Sequence, residues 1–180
     1  MGGLKKLLEI DADWVPNAED HSLYIRPFLF ASSEFIAARQ SDDYTFCIIT
    51  CPVGPYYSGS VKVKIEQEYT RATGGGIGYT KAAGNYGGSF YPTAQAIKEG
   101  YNQVIWTDHK EHKYIEESGT MNLMLLIDGT FLTPPLTDRI LAGVTRRSII
   151  QLVKDQGWPI EERAISVEEI VSAAREGRLQ

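Results

Sequence analysis

A dense break in the middle of the chain constrains the fold most. The segment Pro52-Val-Gly-Pro-Tyr-Tyr-Ser-Gly59 contains two prolines and two glycines within eight residues. Such a segment interrupts regular structure, because proline lacks a backbone N–H and glycine readily adopts turn conformations. The sequence therefore predicts a boundary between two parts of the chain at this point.

The part before the break contains one helical pattern and two strand patterns. Residues Leu4 to Ile10 are typical of a helix, and the runs Ser22 to Ala31 and Tyr44 to Thr50 are rich in the aromatic and β-branched residues that favour strands. The stretch from Ser32 to Asp43 has no clear pattern. We therefore expect a helix followed by two strands in this part.

Strands and helices alternate after the break. Gly74 to Gly78 form a glycine-dense loop, Asp128-Gly129 is a hairpin signal, and Ser166-Val-Glu-Glu169 has the capping-box spacing of a helix start. The predicted strands are Val61–Ile65, Gln103–Thr107, Tyr114–Glu117 and Asn122–Ile127, and the predicted helices are Asn85–Lys98, Val144–Gln156 and one from Ser166 through Ala174. This interleaving predicts an α/β or α+β fold.

The charge balance excludes several kinds of partner. The chain has 180 residues, with 18 lysines and arginines against 23 aspartates and glutamates, and the two signs are interspersed. A nucleic-acid or anionic-membrane surface needs a basic patch, and a membrane span needs about 20 apolar residues in a row. The sequence has neither, and its first residues lack the apolar centre of a signal peptide. We therefore expect a cytoplasmic protein that binds neither nucleic acid nor membrane.

The two cysteines are expected to be structural. Cys47 and Cys51 are four residues apart in a predicted strand, which places them about 13 Å from each other on one face. A disulfide cannot span that distance. Without a nearby pair of histidines a metal site is also unsupported, so the sequence predicts buried thiols and no metal.

Lys81 is the first candidate for chemistry. It follows the glycine-dense loop, small residues flank it, and Tyr86 stands five positions further along. A lysine amine held in a tight, partly desolvated pocket loses its proton more readily, which favours Schiff-base formation. A solvated loop lysine is the alternative that the residues leave open.

The run Leu141-Ala-Gly-Val-Thr-Arg-Arg147 is a candidate anion site. It places a glycine and a hydroxyl at the start of a predicted helix, where free N–H groups and the helix dipole attract a phosphate. In the alternative interpretation, Thr145 caps the helix, and Arg146 and Arg147 are solvated.

Glu116 and Glu117 form an acidic pair at the end of a predicted strand, just before a glycine. Surface exposure is usual for such residues. If one of the two is buried, it could hold a proton on a ring nitrogen.

Five short runs occur in order along the chain: Ser22-Leu-Tyr-Ile-Arg-Pro27, Pro52-Val-Gly-Pro-Tyr56, Lys81-Ala-Ala-Gly-Asn-Tyr86, Glu117-Ser-Gly-Thr-Met-Asn122, and Thr133-Pro-Pro-Leu followed by Gly143-Val-Thr-Arg-Arg147. Together they resemble the branched-chain amino-acid aminotransferases, which are fold-type IV enzymes dependent on pyridoxal 5'-phosphate (PLP). The resemblance runs from Leu4 to the end of the chain. Five ordered motifs make it more specific than any one of them.

The resemblance implies roles for three side chains at the PLP ring. Lys81 matches the residue that forms a Schiff base with PLP and moves the proton during catalysis. Glu117 matches the carboxylate that pairs with the pyridine nitrogen, which keeps the ring protonated and able to accept electron density. Tyr86 matches the phenol that hydrogen-bonds the ring O3' atom.

The resemblance also implies which residues hold the rest of the cofactor. Leu141 matches a residue that packs on the ring face, and Thr120 matches a hydroxyl near the ring and the phosphate. Gly143, Val144 and Thr145 match the helix start that binds the phosphate.

On the substrate side, Tyr24 and Arg26 match residues that contact the amino acid. Val53, Gly54 and Tyr56 match the interdomain loop that closes over the site. These five residues are therefore expected to bind substrate.

The resemblance implies a domain division as well. Residues 1–52 correspond to the C-terminal part of the small domain, 53–59 to the interdomain loop, and 60–180 to a large PLP-binding domain that stops short of its C-terminal end. Family enzymes have an additional phosphate-binding arginine before Leu4 and a Gly-Thr-Ala turn after Gln180. A homodimer is expected for the full-length enzyme.

The implied activity is transamination of leucine, isoleucine and valine with 2-oxoglutarate in a ping-pong cycle. A D-amino-acid transaminase or an aminodeoxychorismate lyase on the same fold is one alternative, because a fold does not determine a substrate. A truncated, non-catalytic fragment of such an enzyme, which folds without turnover, is the other.

Overall fold

The computed structural model describes residues 1–55 and 59–180, which group into two compact units, Met1–Ser60 and Val61–Gln180. The first unit begins with helix α1 (Gly2–Ile10) and a short 3₁₀ turn (Ala12–Trp14), followed by strands β1 (Ser22–Ala31) and β2 (Tyr44–Val53). The helix and both strands that the sequence predicts are present. The assignment of the two units to parts of a small and a large domain stays a prediction.

The strands β1 and β2 form a two-stranded antiparallel ribbon. Tyr24 pairs with Cys51, and Phe28 pairs with Cys47. The second strand extends beyond the predicted end at Thr50 through Pro52, since each strand of a two-stranded ribbon has a free edge where a missing N–H is tolerated.

The prediction of buried thiols is wrong. Cys51 is exposed and Cys47 is half-buried, and both are free. A ribbon buries a face only where another layer covers it, and among residues 1–55 and 59–60 no side chain is buried.

The second unit contains two three-stranded sheets and four helices within its described residues. Its elements are β3 (Val63–Ile65), α2 (Ala83–Gly87), α3 (Phe90–Lys98), β4 (Gln103–Thr107), β5 (Ile115–Ser118), β6 (Leu125–Ile127), β7 (Thr130–Thr133), α4 (Val144–Asp155), β8 (Ile160–Glu162) and α5 (Val167–Arg175). None of the helices in the described parts of the chain is long and apolar enough to cross a membrane. Helices and strands are thus mixed, as predicted.

Each of the two sheets combines parallel and antiparallel pairs. In the sheet β3-β4-β5, β3 is parallel to β4 and β4 is antiparallel to β5. In the sheet β6-β7-β8, β6 and β7 form the hairpin predicted at Asp128-Gly129, and β8 pairs in parallel with β7. Strand β8 has no counterpart among the sequence predictions, and β7 is implied there only by the hairpin signal.

The predicted helix Asn85–Lys98 is wrong as one element. The structure divides this stretch into α2 and α3, and Gly88 and Ser89 separate them. Two consecutive glycines, Gly87 and Gly88, give the backbone too much freedom to continue a helix at low cost.

Side chains from both sheets and two helices form the core. One cluster joins Ile115 of β5 and Leu132 of β7 to Ile165 and to Ala173 of α5. A second cluster packs Ala96 of α3 against Val104 and Trp106 of β4. Strand β5 contributes Ile115 to the first cluster and is buried along its whole length.

Local hydrogen bonds determine where two elements begin. The Ser166 side chain accepts the backbone N–H of Glu169 at 3.0 Å, which confirms the predicted helix start. In the charged turn before β5, the Asp108 carboxylate accepts four backbone N–H groups. Burial raises the pKa of Asp108, but these four donors outweigh it and lower the pKa to about 2.

Candidate functional site

A cavity of about 300 Å³ lies in the second unit, where β5 ends and α4 begins. All predicted cofactor-binding residues except Lys81 line it, namely Tyr86, Glu117, Thr120, Leu141, Gly143, Val144 and Thr145. These residues come from three separate segments of the chain, so the fold brings together what the sequence spreads over 60 positions. Their individual roles stay predictions.

Glu117 is the buried carboxylate of this cavity. It lies on β5 and is 4% exposed, in contrast to the surface position usual for an acidic pair. Burial is the main cause that raises the pKa of Glu117, to about 7, and neighbouring Glu116 raises it further. The positive charges of Arg71 and Lys81 and the N–H of Leu141 oppose this effect. The group is therefore poised to gain or lose a proton near neutral pH.

Glu116 is buried on the other side of the strand. Successive side chains of a strand point to opposite faces, and Glu116 lines a separate cavity of about 480 Å³. There it accepts a hydrogen bond from Nε of Arg139. Burial raises the pKa of Glu116, while the contact with Arg139 lowers it. The structure thus assigns only Glu117 to the cavity that the predicted cofactor residues share.

The start of α4 forms another part of the cavity wall. Gly143 precedes the helix with extended backbone angles, and no side chain caps it. The N–H groups of the first helical turn, beginning at Val144 and Thr145, have no partner within the helix. The alternative in which Thr145 caps the helix is therefore wrong.

The interpretation of Arg146 as solvated is also wrong. Arg146 is 5% exposed, and its Nη2 atom donates to the carbonyl of Pro134 at 2.9 Å and to Glu162 at 2.8 Å. Its Nε atom is buried and has no hydrogen-bond partner among the described residues. The helical period turns Arg146 inward, whereas Arg147 is exposed.

Lys81 lies just before α2 and is exposed. Its Nζ atom is 5.0 Å from the centroid of the Tyr86 ring. Among the described residues, the cavity wall includes this tyrosine but not the lysine. Lys81 thus lies in an exposed loop next to the Tyr86 ring, and its role in Schiff-base formation stays a prediction.

The predicted substrate-side residues lie in the first unit. Tyr24 and Arg26 share one face of β1, and Nη2 of Arg26 donates to the Tyr24 hydroxyl at 3.2 Å. Val53 ends β2 opposite Ser22, so it is at the same end of the ribbon as Tyr24. Gly54 follows it, and Tyr56 lies outside the described residues. The substrate roles of these residues stay predictions.

Sequence patterns do not predict that buried Arg71 and half-buried Asn122 contact Glu117 at the cavity. Arg71 forms a buried ion pair with Glu117, and Asn122 donates a hydrogen bond to the Glu117 carboxylate. Asn122 stands in the motif that begins at Glu117, but Arg71 precedes the glycine-dense loop without a recognisable pattern. A buried arginine requires an anionic partner, and that partner is identified only in three dimensions.

Comparison with known proteins places the chain in a well-populated group. The family described as amino-transferase class IV matches residues 4–175. A probable branched-chain-amino-acid aminotransferase from Staphylococcus epidermidis is 47% identical over 98% of this chain. The chain spans 51% of the length of that relative, which is about half.

Solved structures show the same fold. The branched-chain aminotransferase from Thermoproteus uzoniensis, crystallised with norvaline, matches with a TM-score of 0.78 and 28% identity, over 94% of this chain and 56% of the other. An aminotransferase from Brucella abortus bound to PLP matches with a TM-score of 0.77 over 96% of this chain and 61% of the other. At 20% identity the latter likeness shows the fold alone. The fold-type IV aminotransferase architecture expected from the sequence is confirmed.

Proposed function

The chain belongs to the amino-transferase class IV family, and from this premise we propose that the protein containing it transaminates branched-chain L-amino acids with 2-oxoglutarate, using PLP. One observation carries the proposal. The buried carboxylate of Glu117 and the uncapped start of α4 line the same cavity, so that a group able to accept a proton and a phosphate-binding element are neighbours.

The residues at the cavity fit PLP in size and charge. A volume of about 300 Å³ is at the small end of the range for small-molecule sites, which suits a compact cofactor. The buried Nε of Arg146 and the N–H groups at the start of α4 are donors without partners, and a phosphate supplies acceptors. At the other end, the negative charge of Glu117 suits a protonated ring nitrogen.

The proposed roles follow from what each side chain can do with a proton. PLP, when bound, supplies an electron sink for the carbanion formed at the substrate Cα atom. Glu117 in its charged form accepts a hydrogen bond from the ring N–H and so keeps the proton on that nitrogen. The Lys81 amine would take the proton from the substrate Cα atom and, as an ammonium group, give it to the carbon at the far end of the 1,3-proton shift. The phenol ring of Tyr86 lies beside the Lys81 amine. Its hydroxyl would donate a hydrogen bond to the O3' atom of PLP.

The proposed substrate contacts are Tyr24, Arg26, Val53 and Gly54, with Tyr56 outside the described residues. In support, Tyr24 and Val53 lie at one end of the ribbon, and Nη2 of Arg26 donates to the Tyr24 hydroxyl. A homodimer and a cytoplasmic location are proposed on the family resemblance.

The branched-chain substrate class is supported by the name of the Staphylococcus epidermidis relative and its 47% identity. Leucine and 2-oxoglutarate are therefore the first substrates to test in the full-length protein that contains this chain. PLP bound to the protein should change its visible absorption spectrum, and leucine should then bleach that absorption as the amino group is transferred. Lys81→Ala should abolish both the spectral change and turnover.

A matched assay separates the alternatives. D-Alanine and 4-amino-4-deoxychorismate are offered to the same preparation. Turnover of either of these, with none of leucine, would replace the proposed activity by that of a D-amino-acid transaminase or an aminodeoxychorismate lyase. Absence of PLP binding to the full-length protein would reject the cofactor.

A further inference from the structure

Fixed donors hold both oxygens of the Glu117 carboxylate. Nη1 of Arg71 lies 2.8 Å from Oε1, and the N–H of Leu141 donates to the same oxygen at 3.3 Å. Nδ2 of Asn122 donates to Oε2 at 3.0 Å. Among the described residues, Oε2 accepts from Asn122 alone, so this oxygen keeps a lone pair for one more N–H donor.

Arg71 is a buried cation with one anionic partner. Its side chain is 3% exposed, and its terminal nitrogens also donate to the carbonyls of Gly78 and Arg139 at 2.8 to 3.2 Å. Carbonyl groups satisfy hydrogen bonds but carry no net charge. The Glu117 carboxylate is therefore the group that balances the guanidinium, and loss of either leaves an uncompensated buried charge.

Asn122 connects the carboxylate to the segment before α4. Besides its bond to Glu117, Nδ2 of Asn122 donates to the carbonyl of Leu141 at 2.9 Å. The backbone at Gly143 passes so close that a Cβ atom there would lie 2.1 Å from Oδ1 of Asn122. The amide therefore sets the spacing between the carboxylate and the start of the helix.

We infer that Arg71 and Asn122 are positioning residues of the proposed PLP site: Arg71 favours the charged form of Glu117, and Asn122 turns the Oε2 atom of Glu117 toward the ring N–H. This inference rests on the proposed function. Arg71 acts through charge and Asn122 through orientation. Neither needs to touch the cofactor for this role.

The charges around Glu117 determine what the loss of Arg71 does. Burial and Glu116 favour the protonated carboxyl, whereas Arg71 and Lys81 favour the carboxylate. An opposite charge at contact distance typically lowers a carboxyl pKa by about 1 to 3 units. Loss of Arg71 therefore shifts Glu117 further toward the protonated carboxyl, which carries no negative charge to pair with a protonated ring nitrogen.

The test begins without cofactor, so that its outcome does not depend on PLP binding. The pKa of Glu117 is measured by carboxyl NMR in the cofactor-free wild type, Arg71→Met, Arg71→Lys and Asn122→Ala. We expect Arg71→Met to raise this pKa by at least one unit, and Arg71→Lys to restore most of the difference. Arg175→Met, which removes an exposed cation at the end of α5, is the control and should leave the pKa unchanged.

The PLP affinity of the same variants, followed by absorption, completes the test. Arg71→Met should bind PLP at least tenfold more weakly at pH 7, and the loss should shrink as the pH is raised and Glu117 regains its charge. Asn122→Ala should weaken binding at every pH, because it changes orientation rather than charge.

The outcomes separate this inference from the proposed function. An unchanged Glu117 pKa in Arg71→Met that retains native circular dichroism would overturn the charge role. If Arg71→Met fails to fold, a Glu117 pKa that rises by one unit or more in Arg71→Lys, which keeps the positive charge, would overturn the charge role. Unchanged PLP affinity in Asn122→Ala would overturn the orientation role. Failure of the wild type to bind PLP would reject the proposed function, and the cofactor-free pKa values would still decide whether Arg71 controls Glu117.

Discussion

The β1–β2 ribbon and the sheet strands β4 and β5 differ in how much they bury. The ribbon strands are ten residues long and pair along their whole length, yet none of their side chains is buried. Strand β5 has only four residues and β4 has five, but nearly all of them are buried. Backbone pairing is therefore most extensive where side-chain burial is least.

The difference shows that hydrogen-bonded pairing alone does not make a core. An isolated two-stranded ribbon is marginally stable in water, and stability comes from apolar area removed from solvent. The second unit gains this burial because helices α3 and α5 cover its strands. The buried charges, such as Arg71 and Glu117, also lie in the second unit, where low exposure strengthens their interaction.

The largest expected difference between the two units is in covalent labelling by PLP, which should occur in the second unit alone. After incubation with PLP and borohydride, peptide mapping should find the label on Lys81 and not on Lys5 or Lys6 of the first unit. Only Lys81 follows the glycine-dense loop beside a tyrosine ring. Lys81→Ala should remove the label entirely, and Lys98→Ala should keep it. Label on a lysine of the first unit in the wild type would show that the covalent chemistry is not confined to the second unit.

Truncation of a side chain should affect the two units very differently. Trp106→Ala removes a fully buried ring from the core beside α3 and should lower the free energy of unfolding by about 3 to 5 kcal/mol. Phe46→Ala in β2 removes a ring that is 61% exposed and should cost less than about 1 kcal/mol. Urea titration of both variants measures the contrast. Equal losses would show that the ribbon is covered in solution.

The pH dependence of the free energy of unfolding should reflect the raised pKa of Glu117. Burial raises its pKa from 4.5 in the unfolded chain to about 7 in the fold, so the folded state holds the proton more tightly. The contribution of Glu117 protonation to the free energy of unfolding is complete below pH 4.5 and is lost as the pH rises toward 7. At about 1.4 kcal/mol per pKa unit, it amounts to roughly 3 kcal/mol.

Glu117→Gln should therefore flatten the unfolding free energy between pH 4.5 and 7. Glu9→Gln, at an exposed position of α1, should retain the slope. Persistence of the full slope in Glu117→Gln would mean that another group causes it.

Added methyl groups should distinguish close packing from open space. A Cβ atom at Gly78 would lie 2.5 Å from the Ala72 side chain and 2.8 Å from the Arg139 backbone, so Gly78→Ala should cost about 1 to 3 kcal/mol. At Gly54 the nearest atom is 3.2 Å away, on the movable His21 ring, and the cost should be smaller. Thermal unfolding measures both. Gly84→Ala, with nothing within 4 Å, is the control in the second unit.

Much of the secondary structure was predictable because its causes are local. The β1 strand, the hairpin at Asp128-Gly129 and the start of α5 at Ser166 depend on residues within a few positions of each other. The wrong predictions have other origins. The division of α2 from α3 reflects the backbone freedom of Gly87 and Gly88, whereas the exposure of Cys51 and the burial of Arg146 depend on which distant segments pack against them.

The sequence by itself determined the kinds of elements, the break between two parts of the chain, and the motif residues that resemble an aminotransferase. Only the tertiary structure decided that Glu116 is buried in a separate cavity, that Arg71 balances the charge of Glu117, and that Arg146 is buried. Periodicity and turn chemistry act over a few residues and can be read along the chain. The state of a buried charge depends on which distant side chains the fold brings within about 4 Å, and on the exclusion of water from them.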